Sequence, residues 1–329
     1  MSKIDKMAGK RVLITGGLGF IGANLAIRLV EEGADVLLVD SLIPLYGGML
    51  FNIQPVRDRV RVNISDLRDR HSLPALVKDR DIIFNLAGQT SHMDSMEDPF
   101  TDLDINCASQ LSLLEVCRQC NPEVKLVFAS TRQLYGRPQY LPVDESHPIV
   151  PVDVNGINKA AGEFYHILYN NVYGIRSVVL RLTNVYGPRM RIKDARQTFL
   201  GIWIRQALEG RPIEVWEGAQ KRDFNYVEDV IDALIVAASN EALNGGTFNI
   251  GGSEVISLRE VADLIVRNQP GATYEIKEFP ASRKKIDIGD YYTNSEKFSG
   301  ATGWAPRIGL ADGIMRTMAY YRDNLSHYI

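Results

Sequence analysis

Three glycines, Gly16, Gly19 and Gly22, stand three residues apart between the apolar run Arg11–Thr15 and the start of a helical pattern. That spacing suits a loop wrapped around a pyrophosphate. The first glycine permits the tight turn, the second lets the main chain approach the phosphates, and the third lets helix and strand pack closely. Phe20 and Ile21 carry the loop into the helix, whose N–H groups and positive dipole end favour an anion. Asp40 closes the next apolar run, Asp35–Asp40, where a carboxylate can accept hydrogen bonds from ribose hydroxyls. It would repel a 2′-phosphate, and Ser41, Leu42 and Ile43 supply no arginine to hold one, so the expected cofactor is NAD rather than NADP. Asp66 and Leu67, just after a third strand, are expected at the adenine, with a helix N-cap as the alternative role for Asp66.

These residues need a frame to hold them. Arg61–Asn63, Asp81–Leu86 and Lys125–Ala129 continue the series of short apolar runs, separated by helical patterns such as Phe20–Glu32. Apolar runs alternating with helices predict a parallel sheet covered on both faces. Asn155–Tyr173 reads as a long helix and Ser177–Leu182 as a strand. After about Gly187 helices at Thr198–Glu209, Val227–Ser239, Leu258–Arg267 and Leu310–Asn324 alternate with short strands such as Ile213–Val215 and Thr247–Ile250. The expected organisation is an α/β doubly wound parallel sheet over 1–186, carrying the dinucleotide. A smaller mixed lobe over 187–329 sends some segments back to the first.

Composition limits the function classes. With 329 residues, 45% of them hydrophobic, the chain can bury a large core, and a net charge of −3 gives no field for general nucleic-acid binding. No run of about 18 apolar residues occurs, and the N-terminus does not read as a signal peptide, so a cytoplasmic, non-membrane protein is expected. Cys117 and Cys120 form a C-x-x-C within a helical pattern, with no second pair to complete a metal site; reduced thiols and no metal are expected.

The ordered motifs GGLGFIG (Gly16–Gly22), NLAGQ (Asn85–Gln89), FASTRQLYG (Phe128–Gly136), RLTNVYGPR (Arg181–Arg189), RDFNYVEDV (Arg222–Val230) and GW-x-P (Gly303–Pro306) span nearly the whole chain. Together they resemble the extended short-chain dehydrogenases that epimerise, dehydrate or decarboxylate nucleotide sugars, of which UDP-galactose 4-epimerase is a typical member. The resemblance implies a Rossmann-type fold with Leu86, Ala87 and Gly88 against the cofactor. It implies that Thr131 hydrogen-bonds the sugar hydroxyl being oxidised and that Lys159 holds the nicotinamide ribose. Gln89 is expected on the substrate side. Asn184 and Arg222 are expected on the substrate diphosphate, with Lys284 or Arg283 as a second cation. Trp216 is expected to stack on the nucleobase, or else to pack in the core. A homodimer through Pro99–Gln119 and Asn155–Tyr173 is likewise implied.

The pattern breaks at one place. The family's general base is a tyrosine four residues before the lysine, and here that position is Asn155. An amide offers hydrogen bonds but accepts no proton near neutral pH. His92, Tyr135 and His147 are candidate replacements; a relay through Thr131, Lys159 and water, or a protein that binds without turnover, are the other readings. Dehydrating relatives carry an Asp-Glu pair after the threonine and decarboxylating ones keep the glutamate, whereas this chain has Arg132-Gln133. That disfavours both eliminations and leaves Arg132 to meet a substrate carboxylate or else to pair with Asp94 or Glu97. The function expected is NAD-dependent epimerisation of a nucleotide sugar. A dehydratase or net oxidoreductase, or a silent NAD and nucleotide-sugar binding protein, are the alternatives.

Overall fold

Runs that are apolar at every position are stable as strands only when both faces are covered. A computed structural model, which describes residues 7–194, 196, 198–280 and 287–329, arranges them that way, except that the run Arg61–Ile64 forms a mostly exposed edge. The first half supplies β1 (Arg11–Thr15), β2 (Asp35–Asp40), β3 (Arg61–Ile64), β4 (Ile82–Asn85), β5 (Lys125–Thr131) and β6 (Ser177–Leu182). The chain then departs through β7 (Val185–Tyr186), β8 (Ile213–Trp216), β9 (Lys221–Asp223) and β10 (Asn225–Tyr226), and returns as β11 (Thr247–Ile250). Two further strands, β12 (Val255–Ser257) and β13 (Tyr274–Lys277), complete the second half. Seven strands form one sheet in the order β11-β6-β5-β4-β1-β2-β3, and every pairing in it is parallel.

Successive side chains along a strand point to opposite faces, so each central strand feeds two cores. Val12 and Ile14 of β1 enter one and Leu13 the other. The first core is closed by α1 (Phe20–Glu31) and, from the second half, by α8 (Val227–Ser239). The second is closed by α2 (Leu73–Val77), α5 (Ser109–Cys120) and α6 (Val154–Tyr173). Between α2 and α5 lie two short helices, α3 (His92–Glu97) and α4 (Pro99–Leu103), and a π-helical turn at Asp104–Ala108. The smaller lobe packs α7 (Phe199–Leu208) and α9 (Leu258–Arg267) with the two-stranded pairs β8/β13, β9/β12 and β7/β10; α10 (Glu296–Thr302) packs back on β11, and α11 (Leu310–Asn324) on α7, α9 and β10. Thr247–Ile250, expected among the second-half strands, lies in the first sheet beside β6.

A buried polar network fixes α6 against this sheet. Arg181 of β6 holds Glu163 of α6 through Nη2–Oε2 at 2.7 Å and Nε–Oε1 at 3.0 Å. Their side chains are 6% and 1% exposed. Ser130 of β5 donates to the same carboxylate. Arg181 Nη1 reaches the Tyr135 hydroxyl at 2.6 Å, which donates onward to Asn249 of β11 at 2.7 Å. Burial opposes the Arg181 charge, but Glu163 outweighs it and holds the guanidinium above its ordinary range. Among the described residues, no helix is long and apolar enough to cross a membrane. Cys117 is buried and Cys120 exposed, both as free thiols.

Removing one member of a buried pair leaves the other uncompensated, at a cost of about 3–5 kcal/mol, whereas replacing both by apolar groups is often neutral. Glu163→Gln is therefore expected to lower unfolding free energy in urea by about that amount, and Glu163→Leu with Arg181→Met to recover most of the loss. Equal losses in single and double variants would show that the pair does not anchor α6.

Candidate active site

β1 and β4 lie side by side, and the order of strands reverses between them, which opens a crevice at their C-terminal ends. Thr15, the last residue of β1, ties the two together. Its hydroxyl donates to Asn85 Oδ1 at 2.9 Å and accepts from the main-chain N–H groups of Leu86 and Ala87 at 3.1 Å each. Into this crevice opens a cleft of about 710 Å³, which continues between the sheet edge and the smaller lobe.

The glycine loop forms one end. Gly16 has φ +66°, and a Cβ there would stand 3.0 Å from the Ala87 main chain. A Cβ on Gly22 would run into the Gly16 carbonyl oxygen. The N-cap of α1 is Gly19, with no side chain capping the helix and no acid in its first turn, so the terminal N–H groups remain open to an anion. Gly16, Gly19, Phe20, Ile21 and Gly22 all line the cleft. Asp40 lines it too, and its carboxylate holds the loop by accepting from Leu18 N at 3.0 Å and Leu42 N at 2.9 Å. A carboxylate accepts about four hydrogen bonds, which leaves capacity for ribose hydroxyls. Burial raises its pKa and those main-chain donors oppose the rise. An open helix terminus, a glycine cradle and a carboxylate without a salt bridge among the described residues fit NAD. Asp66 and Leu67 line the same end, but Asp66 is engaged by Arg68, with Nη2–Oδ2 at 2.7 Å. Ser72, not Asp66, occupies the N-cap of α2.

In the middle of the cleft Leu86, Ala87, Gly88, Thr131, Asn155 and Lys159 come together. Thr131 Oγ1 accepts from the Gln133 main chain at 3.2 Å. Lys159 stands against Gly88, where a Cβ would lie 2.8 Å from Nζ. Burial pulls its pKa down to about 8, and the charges of Asp102 and Glu163 oppose that fall. Asn155 is 2% exposed. Its Nδ2 donates to the Gln89 carbonyl at 2.8 Å and to Asp102 Oδ2 at 3.1 Å. Asn158 Nδ2 and Asn106 Nδ2 donate to the same carboxylate at 2.7 and 3.0 Å. Three amides thus surround a buried acid beneath the start of α6.

Gln89 departs from its expected place. It is 2% exposed, donates to the Ser91 carbonyl at 2.8 Å, and backs Asn155 rather than lining the cleft. Of the three candidate bases, Tyr135 and His147 are outside the lining. Tyr135 is occupied by Arg181 and Asn249, and burial pushes its pKa up to about 12. His147 is buried and accepts from Gln139 N at 2.8 Å. His92 lines the cleft.

At the second-lobe end Asn184, Arg132, Arg222 and Trp216 line the wall. Arg132 does not pair with Asp94 or Glu97; Asp94 is taken by Arg196 at 2.9 Å. Instead the guanidinium of Arg132 sits 4.8 Å from the Tyr291 ring centre and donates to Asn184 Oδ1 at 3.3 Å. Its Nη1 is buried without a partner among the described residues. Arg222 forms no ion pair with Asp223 or Asp229 and donates to the carbonyls of Lys221, at 2.9 Å, and Gly289. Burial, aided by the neighbouring Arg132 charge, brings its pKa down to about 10. Two guanidiniums facing one cleft suit an anion. Trp216 meets Phe279 edge-on at 5.6 Å on the cleft wall, not in the core. Lys284 and Arg283 lie outside the described residues.

Sequence reasoning missed Asp102, Asn106 and Asn158, which hold the active-site wall, and Asp153, the N-cap of α6. Only Asp153 carries a signal, an acid directly before a helical pattern. Asp102 lies on α4, Asn106 on the π-helical turn and Asn158 on α6, and spacing does not announce their convergence.

A doubly wound sheet with this glycine loop, acid and threonine–lysine pair defines a dinucleotide-dependent enzyme with a second binding lobe. Residues 12–251 match the NAD dependent epimerase/dehydratase family. The chain belongs to that family, and NAD is its cofactor. A Mycolicibacterium smegmatis UDP-glucose 4-epimerase is 30% identical over 95% of this chain and 99% of its own. A Methanocaldococcus jannaschii chain with UDP-glucose 4-epimerase as a provisional name is 36% identical, with 95% and 99% covered. The structure of a Thermus thermophilus UDP-glucose 4-epimerase complexed with NAD superposes with a TM-score of 0.84 at 31% identity, covering 95% of this chain and 99% of that one. The family-level activity is NAD-dependent modification of sugar nucleotides.

Asn155→Tyr restores the family residue but removes an amide donor from buried Asp102. Asn106 and Asn158 still donate to that acid, but a hydrogen bond to a charged group is worth about 1.5–3 kcal/mol, so the variant is expected to melt lower than wild type while retaining NAD. A melting temperature at or above wild type would show that Asn106 and Asn158 alone satisfy the acid.

Proposed function

We propose that the protein is a nucleotide-sugar epimerase that oxidises one ring hydroxyl and reduces the resulting ketone from the opposite face. The observation that carries this reading is the occupation of the two positions after Thr131. Arg132 is stacked on Tyr291, and the Gln133 amide is tied to Asp153 at 2.9 Å. Neither supplies the acid and base of a water elimination, while the threonine and lysine needed for oxidation at carbon share the cleft.

Bound NAD supplies the hydride acceptor, which then serves as donor for the return. Thr131 presents a hydroxyl to the reacting sugar oxygen, and Lys159 presents a cation beside it. Arg222, Arg132 and Asn184 are suited to the diphosphate, with charge-assisted hydrogen bonds that anchor the nucleotide while the sugar turns. Trp216 and Phe279 offer an aromatic wall for the base. The UDP-glucose named for the relatives makes UDP-sugars the first candidates.

Two copies of the chain are expected to associate through α6. Ile157, Phe164, Leu168 and Val172 expose 55%, 59%, 48% and 61% of their surface along one face, beside Phe100 at 76%. Large clustered apolar surface of this kind marks an interface. Phe164→Glu is expected to shift the sedimenting species from dimer to monomer, and a monomeric wild type would remove this part of the proposal.

The activity is tested by NMR-followed incubation of NAD-loaded protein with UDP-, dTDP-, GDP- and CDP-sugars, including a uronic acid. Interconversion of one epimer pair without accumulation of NADH is expected. Loss of water to a keto-deoxy sugar would replace the epimerase with a dehydratase, and unchanged sugars would favour a binding protein.

A further inference from the structure

Oxidation of a sugar hydroxyl releases a proton as well as a hydride, so the cleft needs a group to take it. Asn155 cannot, because its amide is a donor bound to Gln89 and Asp102. Asp40 and Asp66 belong to the dinucleotide end, Asp287 and Glu214 to the smaller lobe, and the Tyr46 phenol, which also lines the cleft, is pushed up by burial and by the Asp94 charge. Lys159 is engaged as a donor, its Nζ reaching the Ala129 carbonyl at 3.4 Å.

His92 remains. It opens α3 on the cleft wall, and its Nδ1 lies 3.0 Å from Asp153 Oδ2. The imidazole is 39% exposed and the carboxylate behind it 0%. Asp153 is held from two further directions. It caps α6 through Gly156 N at 2.7 Å and accepts from Gln133 Nε2 at 2.9 Å. The main-chain N–H of that same Gln133 donates to the Thr131 hydroxyl, so one residue links the acid to the sugar-binding threonine. Burial would raise the Asp153 pKa, but the bonds from His92, Gly156 and Gln133 hold it below the usual carboxylate range. The pair stands at ion-pair distance without hydrogen-bond alignment; an ionised carboxylate that close favours the proton on Nδ1, which leaves the Nε2 lone pair directed away from Asp153.

We infer that the His92–Asp153 pair is the proton acceptor of this cleft, with Nε2 taking the hydroxyl proton and Asp153 setting the tautomer. In the forward step the O–H bond breaks toward Nε2, the C–H pair leaves as hydride to NAD, and a C=O bond forms. In the return step hydride re-forms the C–H bond and the imidazolium gives its proton back to the oxygen. This inference rests on the epimerase reading and deepens it. His92 is a catalytic residue in it and Asp153 a positioning residue.

The test uses NAD-loaded protein and the sugar found active in the panel. His92→Gln is expected to lower kcat by about 10²–10⁴-fold, the usual worth of a positioned general base, with NAD retention and sugar-nucleotide Kd within about threefold of wild type. His92→Ala is expected to recover activity with added imidazole, which a structural role would not produce. Asp153→Asn keeps the helix cap, since asparagine caps as well as aspartate, and is expected to lower kcat with little change in KM. Turnover of His92→Gln within about threefold of wild type overturns the assignment and leaves the epimerase intact. Imidazole that rescues nothing also overturns it. A wild type inert on every sugar overturns both readings together.

Discussion

The placement of the active-site helix depends on one buried ion pair. Glu163 sits two turns into α6 and Arg181 near the end of β6, and both are buried. Their bidentate contact sets how far α6 stands from the sheet and how it is rotated. Asn155, Asn158 and Lys159 lie on the same helix N-terminal to Glu163, so their directions follow from it. The pair also recruits β5 through Ser130 and β11 through Tyr135 and Asn249. A desolvated charge tolerates few geometries. The sheet, the helix and the last strand are therefore held to one arrangement by a single electrostatic demand.

Around that frame two kinds of polar order divide the labour. Asp102 is enclosed by neutral amides from three points of the chain, and the acid serves to fix the wall. Asp153 is enclosed by one helix N–H, one amide and one imidazole, and the imidazole is open to the cleft. Both acids are buried. The difference lies in the partner: an amide can only orient, while an imidazole can also change its protonation state. The presence of Asn155 beside the first acid and His92 beside the second separates a positioning centre from a proton-handling one.

Much of this was legible in the sequence because the signals were local. The glycine spacing, Asp40, the parallel strands and α8, α9 and α11 follow from period and turn chemistry, with bounds of Val227–Ser239, Leu258–Arg267 and Leu310–Asn324 matching the spacing. The motif resemblance placed Thr131, Lys159, Asn184, Arg222 and Trp216 on one cleft, where they lie. Gln89 was misplaced because one position in a loop decides between facing the cleft and facing its backing, and no period marks that choice. Arg132 was weighed against a substrate carboxylate and against Asp94 or Glu97, yet within the chain it meets Asn184 and, far along in the smaller lobe's last third, Tyr291. Contacts of that separation are set by tertiary packing alone.

The return of Thr247–Ile250 to the sheet bears on how the chain is made. β6 is buried at every position and pairs with β5 on one side only until β11 arrives. During synthesis the ribosome must release residues through Ile250 before that strand gains its second neighbour. Until then an apolar strand presents an open hydrogen-bonding edge, the kind of surface that invites pairing with another chain. A gene cut after residue 186 would make that transient state permanent. The sheet is begun by the first half of the chain and completed only by the second.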